Sequence, residues 1–325
     1  AIYQILSADN ALTLTELMSP KNRWFLESLK LDPEVRKSLF TNIKALFLGK
    51  VGYIISQCSD NLVISSLVSV TAVGMYSNYT TLITSVSGFV TTFSSGVTAS
   101  MGNLIASETK ERAYEVYKRV DFINYWLYTF TATCLLCLVE PFVAIWLGQD
   151  FVLTKAILIL AVAIYYFKGI NSGIDIAKNA AGLYYPDRFI PMAEAIANMV
   201  ISIVLAKRYG IAGVLFGTLV SFLALSFWAK PYFVCRDVFE VSFARYAVRE
   251  GREIVVSVLV AAGTWYAVSL VSLENVLLSF GVKALLALAL SNGLLLLVYF
   301  KTSEFQYLRG LLESAANRIG KRKKA

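Results

Sequence analysis

Eight apolar runs, each about 20 residues or longer, divide most of this 325-residue chain, and a helix of that length matches the roughly 30 Å hydrocarbon thickness of a bilayer. They cover approximately 43 to 69, 72 to 100, 121 to 147, 152 to 178, 188 to 207, 210 to 231, 251 to 271 and 277 to 300. Backbone that crosses hydrocarbon must satisfy its own hydrogen bonds, so such runs fold as helices. The expected fold is an all-α membrane protein with about eight transmembrane helices. Several connections are a few residues long, such as Val70 to Thr71, which leaves no room for a separate soluble domain. Composition agrees: 57% of residues are hydrophobic and 16% charged, against about a quarter charged in soluble domains.

The chain has no histidine, which removes the usual general base and the commonest metal ligand. Cys58, Cys134, Cys137 and Cys235 fall in or beside apolar runs and read as small buried hydrophobes. Cys134 and Cys137 form a lone CxxC with no second pair. Neither an enzyme, a resident cofactor, a metal centre nor a nucleic-acid partner is expected.

Basic residues sort by face. If residues 1 to 42, with the amphipathic stretch Asp32 to Lys44, form a cytoplasmic linker, alternation through eight spans places 24 of the 30 Lys and Arg on that side. The positive-inside rule then puts both ends of the chain in the cytoplasm. The tail, 301 to 325, ends in Lys321-Arg322-Lys323-Lys324, a solvated anchor or a contact for anionic lipid headgroups. Tyr125, Trp126, Tyr128 and Trp146 flank the third run and read as interfacial belts. The chain opens on Ala1 with no signal-peptide pattern before the first run, as expected of a piece of a longer protein.

Ionisable groups at the centre of a span cost about 2.5 to 3.5 kcal/mol on insertion scales, so they face a partner or water. In the first run Lys50, Tyr53, Gln57, Asp60 and Asn61 share one broad helical face. That face is either a buried network that locks packing or the wall of a cavity. In the second, Asn78, Thr81, Ser85, Gly88, Thr92 and Ser95 form a small, hydroxyl-rich stripe, suited equally to close packing and to the exchangeable hydrogen bonds of a sugar. In the fourth, Lys168, Asn171, Asp175 and Lys178 follow one another at i, i+3, i+7 and i+10. Asp175 can pair with Lys178; Lys168 is too far from Asp175 along the axis and must meet a carboxylate on another helix, such as Asp60, or an anion in water. The fifth carries Glu194, Asn198 and Ser202 at four-residue steps. The sixth carries Gly213, Gly217 and Ser221, a small-xxx-small packing face. The last two runs hold no ionisable group in their middle portions and read as lipid-facing accessories.

From about Lys44 to Glu240 the chain resembles the second half of a bacterial polysaccharide or oligosaccharide flippase. That superfamily also holds multidrug and toxic-compound extrusion (MATE) antiporters and lipid II flippases. The resemblance rests on Lys44-Ala45-Leu46-Phe47 leading to Asp60-Asn61-Leu62-Val63-Ile64-Ser65, Val73-Gly74-Met75-Tyr76-Ser77-Asn78-Tyr79, and Glu140-Pro141-Phe142 before Trp146-Leu147-Gly148. It continues through Ala180-Ala181-Gly182-Leu183-Tyr184-Tyr185-Pro186-Asp187-Arg188, Tyr209-Gly210-Ile211-Ala212-Gly213 and Gly217-Thr218. It implies a MATE-like architecture of two six-helix lobes. Residues 43 to 240 would form the second lobe and 241 to 300 an accessory pair, and a partner lobe would lie outside this chain.

The function so implied is flipping of undecaprenyl-diphosphate-linked sugar repeats across the bacterial cytoplasmic membrane by alternating access, in company with polysaccharide polymerases and glycosyltransferases. A diphosphate needs cations and a glycan needs hydroxyl and amide partners. By position, Lys50 and Lys168 are the diphosphate candidates, and Asn61, Asn78, Thr81, Ser85 and Asn171 the headgroup or glycan candidates. Asp60, Asp175 and Glu194 are candidates to balance the lysines or to carry a coupled Na+ or H+. Alternatives are an ion-coupled drug antiporter using Asp60 and Glu194, which the nearby lysines oppose, and a non-transporting assembly subunit. A membrane enzyme would need acids or bases in a sizeable outer loop, and these connections are short.

Overall fold

A computed structural model describes residues 33–310, without the side chains of 33–36, 38 and 93–95. Most of the expected linker and the expected basic cluster at 321–324 lie outside the described residues. The chain divides into two compact units at Lys44/Ala45. Of the first, the described part is the opening of a helix, in which the Thr41 hydroxyl donates to the Lys37 carbonyl at 2.9 Å.

The described elements are helical throughout: α1 (Pro33–Leu67), α2 (Val70–Ser107), α3 (Lys110–Trp146), a 3-10 turn (Gln149–Phe151), α4 (Lys155–Ala180), α5 (Ile190–Ala224), α6 (Ser226–Val234), a π-turn (Cys235–Phe239), α7 (Phe243–Ser269) and α8 (Val276–Tyr299). Local sequence sets the boundaries. Ser69 caps α2 by accepting from the Ala72 amide at 3.0 Å, Thr109 caps α3 from Arg112 at 3.3 Å, and Asn275 caps α8 from Leu278 at 3.0 Å. Pro191 opens α5, where its missing N–H costs nothing.

Among the described residues six segments are long and apolar enough to cross a membrane: Leu39–Leu67, Lys110–Trp146, Lys155–Ala180, Ile190–Phe239, Phe243–Ser269 and Val276–Tyr299. The difference from eight expected runs has two physical sources. Val70–Ser107 is rich in Ser, Thr, Gly and Asn, and its hydropathy falls short although it is the longest helix, at 38 residues. Ile190–Phe239 joins two of the expected runs into one. Within it the backbone leaves helical geometry at Gly210 (φ 57°, ψ −136°), a region open to glycine alone, and the chain folds back. Across this hairpin Ser202 donates to the Val214 carbonyl at 3.2 Å, and a Cβ on Gly217 would stand 2.5 Å from Ser202 Oγ. The Gly213-xxx-Gly217 face is therefore a close packing seam.

In the second unit α4 packs against α2, α3, α5 and α6, and is the most buried of the six apolar segments. The crossing of α3 and α4 is very close, since a Cβ on Gly169 would lie 2.0 Å from the Tyr128 ring and one on Gly173 2.2 Å from Asp121 Oδ1. Helices α7 and α8 pack on each other and on α3. Three of the aromatics expected as a belt, Tyr125, Trp126 and Tyr128, are instead core residues. Their polar tips are satisfied inside the protein: Tyr125 donates to the Glu253 carbonyl at 3.1 Å and Trp126 to Asn292 at 3.1 Å. Trp146 remains exposed. Cys58, expected to be buried, is exposed on α1, while Cys137 and Cys235 are buried.

Candidate functional site

A connected set of polar groups gathers around the part-buried Asp60 carboxylate, two turns before the end of α1. Asn198 Nδ2 donates to Oδ1 at 3.1 Å, and Thr218 Oγ1 lies 3.0 Å and 2.9 Å from the two oxygens. The helical hairpin builds this site, because Asn198 and Thr218 come from its two arms. Asn198 also contacts Ser59 Oγ at 3.3 Å, and its Oδ1 accepts from Ser202 at 2.8 Å. The four-residue steps Glu194, Asn198, Ser202 thus form a wholly interior rib on α5.

Protons are scarce here. Thr218 Oγ1 has both Asp60 oxygens, Asn198 Oδ1 (3.2 Å) and the Val214 carbonyl (3.2 Å) within reach, yet a hydroxyl carries one hydrogen. No Lys or Arg nitrogen pairs with Asp60 within 4.0 Å among the described residues. Lys168 acts on Asp60 through space rather than by contact. A single carboxylate held by an amide N–H and a hydroxyl, with the Ser202, Asn198 and Val214 oxygens close by, offers a cation a site of low charge, unlike a multi-carboxylate metal centre; no group of three His, Cys, Asp or Glu suited to a metal occurs among the described residues.

Lys168 is half-buried on α4 with Nζ 5.9 Å from the Phe222 ring. Asn171, one turn on, is 1% exposed; its Nδ2 donates to the Phe227 carbonyl at 3.1 Å and its Oδ1 has no partner. The local pair Asp175 with Lys178 does not form. Asp175 pairs with Lys230 of α6 at 3.0 Å, and Lys178 pairs with Asp187 in the loop before α5. Glu194 accepts from Ser226, with Lys230 near enough to feel its charge.

Other candidates face outward. On α1, Lys50, Tyr53, Gln57 and Asn61 are exposed, with Gln57 donating to the Tyr53 hydroxyl at 3.3 Å. On α2, Asn78 is half-buried while Thr81 and Ser85 are exposed, their hydroxyls returned to backbone carbonyls at 2.8 Å and 2.7 Å. A Cβ on Gly88 would meet nothing within 4 Å, so at this position the stripe packs against none of the described residues. The Ser95 side chain lies outside the described residues. Lys50 is ten residues before Asp60, about 15 Å along the axis, and so marks a different level from the carboxylate.

One cluster escaped the sequence reading. Asp121 of α3 and Arg249, Glu250 and Glu253 of α7 meet in the interior, and Ser257 continues the buried face by bonding Thr129 at 2.7 Å and Tyr166 at 2.9 Å. Helix α7 is therefore more than a lipid-facing accessory. Its signal was the spacing 250, 253, 257, 264, a one-sided polar stripe whose first members sit at the polar edge of an apolar run and so pass for loop residues. Comparison with protein-family models, curated proteins and solved structures finds no match for this chain.

Proposed function

We propose that this chain forms one lobe of a transporter that flips lipid-linked diphosphate oligosaccharides across the cytoplasmic membrane of a bacterium by alternating access. The observation that carries the proposal is that α1 and α2 present polar, hydroxyl-bearing faces that nothing in the described chain covers, beside helices otherwise fit for lipid. Such faces are unfavourable against acyl chains and suit a wet groove closed by a partner lobe. On this reading the two hairpin arms count as separate crossings and α2 is a groove-lining one, which gives a six-helix MATE-like lobe plus the α7–α8 pair, both ends cytoplasmic.

The residues then divide the work by position. Lys50 and Asn61 on α1 and Asn78, Thr81 and Ser85 on α2 meet the headgroup and glycan, while the lipid tail stays in hydrocarbon. Lys168, with Asn171 beside it, offers the deeper positive charge for the diphosphate. Asp60, with Asn198, Thr218, Ser202 and the Val214 carbonyl, takes up a coupled Na+ or H+, and bringing a cation there weakens the hold of Asp60 on Lys168. Asp175 is balanced by Lys230 and serves the charge balance of the lobe; Glu194 joins the same polar rib.

The test is export: Lys168→Ala in the complete transporter should lower polysaccharide export with insertion unchanged, and unchanged export removes this lysine from the mechanism. A second reading, an ion-coupled drug antiporter, is favoured by one observation: among the described residues no Lys or Arg nitrogen pairs with Asp60. Binding of a lipophilic cation in preference to a diphosphate-linked sugar lipid would select it.

A further inference from the structure

Apart from the Asp60 network, a second buried concentration of charge lies where α7 meets α3. Asp121, Glu250 and Glu253 are 5%, 4% and 5% exposed. Arg249 pairs with Asp121 and brings Nε to 3.9 Å from Glu253, and the Tyr246 and Tyr117 rings take its flanks at 5.3 Å and 5.9 Å. Three carboxyl groups face one guanidinium that never releases its proton. If all three ionise, excess negative charge stays buried, where it is strongly disfavoured unless neutralised.

The surrounding groups do not neutralise it. Tyr117 and Tyr125 face the two glutamates from α3, Tyr166 from α4, Tyr246 and Arg252 from α7, and Tyr299 and Glu304 from α8 and the segment after it. Arg252 is exposed and Glu304 offsets it. No three carboxyl groups among the described residues are arranged to hold a metal ion, and the guanidinium already stands among these. A proton is the cation that fits.

A second, separate observation marks the place. The Tyr117 hydroxyl is fully buried and leans on Asp121 without reaching full hydrogen-bond geometry, with Arg249 and Glu250 as its other charged neighbours. A phenol oxygen accepts as well as donates, so it is ready to receive a carboxylic O–H. We propose that the Asp121–Glu250–Glu253 cluster around Arg249 is a proton-binding site in which Arg249 balances Asp121 while Glu250 and Glu253 hold one proton each as α7 docks on α3. The site is distinct from Asp60 and stands whether or not the chain belongs to a flippase.

Infrared spectroscopy of the purified chain in detergent at neutral pH reads a protonated carboxyl through its C=O band. The difference between wild type and Glu250→Gln/Glu253→Gln should contain such a band, and Tyr117→Phe, which keeps the ring, should shift its frequency without removing it. An empty difference spectrum overturns the proposal. So does a melting temperature of the wild type that rises with sodium at constant pH and loses that response in the double variant, which would assign the site to a metal cation. Should the double variant not fold, Glu253→Asp serves in its place: a retained, shifted band supports the site, and an unmoved band overturns it.

Discussion

At the scale of single residues, the Asp60 network shows why a hydroxyl is more consequential than its size. Thr218 lies on both carboxylate oxygens at 3.0 Å and 2.9 Å, and Val in its place would keep the shape and remove the donor. The expected cost is about 1–3 kcal/mol, that of leaving a buried acceptor short of a partner, seen as a lower melting temperature in detergent. Asp60→Asn should melt near wild type, because the amide relieves a buried charge, but should lose any stabilisation by added sodium or by low pH. A retained response would separate the cation from Asp60. Two glycines give a matched pair: a Cβ on Gly169 would strike the Tyr128 ring at 2.0 Å, whereas one on Gly88 meets nothing within 4 Å. Gly169→Ala should therefore cost about 1–3 kcal/mol by overpacking, and Gly88→Ala should melt at or slightly above the wild-type temperature, since alanine is the better helix former.

At the scale of elements, the hairpin within Ile190–Ala224 is the part on which the site most depends. Its fold-back at Gly210 brings Asn198 within 3.2 Å of Thr218, twenty residues away. Because φ 57°, ψ −136° suits no residue with a Cβ, Gly210→Ala should destabilise by about 1–3 kcal/mol and weaken cation binding at Asp60 in the same variant. This element was largely legible in advance. The small-xxx-small face of Gly213 and Gly217 announced close packing, and the rib Glu194, Asn198, Ser202 announced a shared polar side, because both follow helical periodicity. What periodicity cannot give is a partner distant in sequence. Lys230 for Asp175, 55 residues apart, overrode the local choice of Lys178. Arg249 for Asp121, 128 residues apart, hid a buried cluster at what looked like the wet end of a run. Tyr125, Trp126 and Tyr128 misled for the same reason: an aromatic near a span end serves an interface or a core alike, and only the packing of α7 and α8 on α3, and of α4 on Tyr128, decides.

At the scale of the whole molecule, the chain keeps its deepest burial for α4 and leaves α1 and α2 with polar faces turned outward. A transporter lobe needs that asymmetry, with one side sealed to lipid and the other wet. The same claim predicts a graded effect of charge along the route. Lys168→Ala, near the carboxylate, should reduce export by about tenfold or more, the loss of one charge-assisted contact of about 1.5–3 kcal/mol; Lys50→Ala, exposed and about 15 Å further along, should reduce it less, as read by polysaccharide at the cell surface. The most direct test is solvent access. In a cysteine-free background, single cysteines placed at Asn61 and Thr81 should react in intact membranes with a membrane-impermeant thiol reagent, while cysteines at Ile55 and Leu62, exposed apolar positions turned away from the polar face of α1, should not. Equal silence at all four positions, or reaction at Ile55 and Leu62 alone, would contradict a wet groove along α1 and α2.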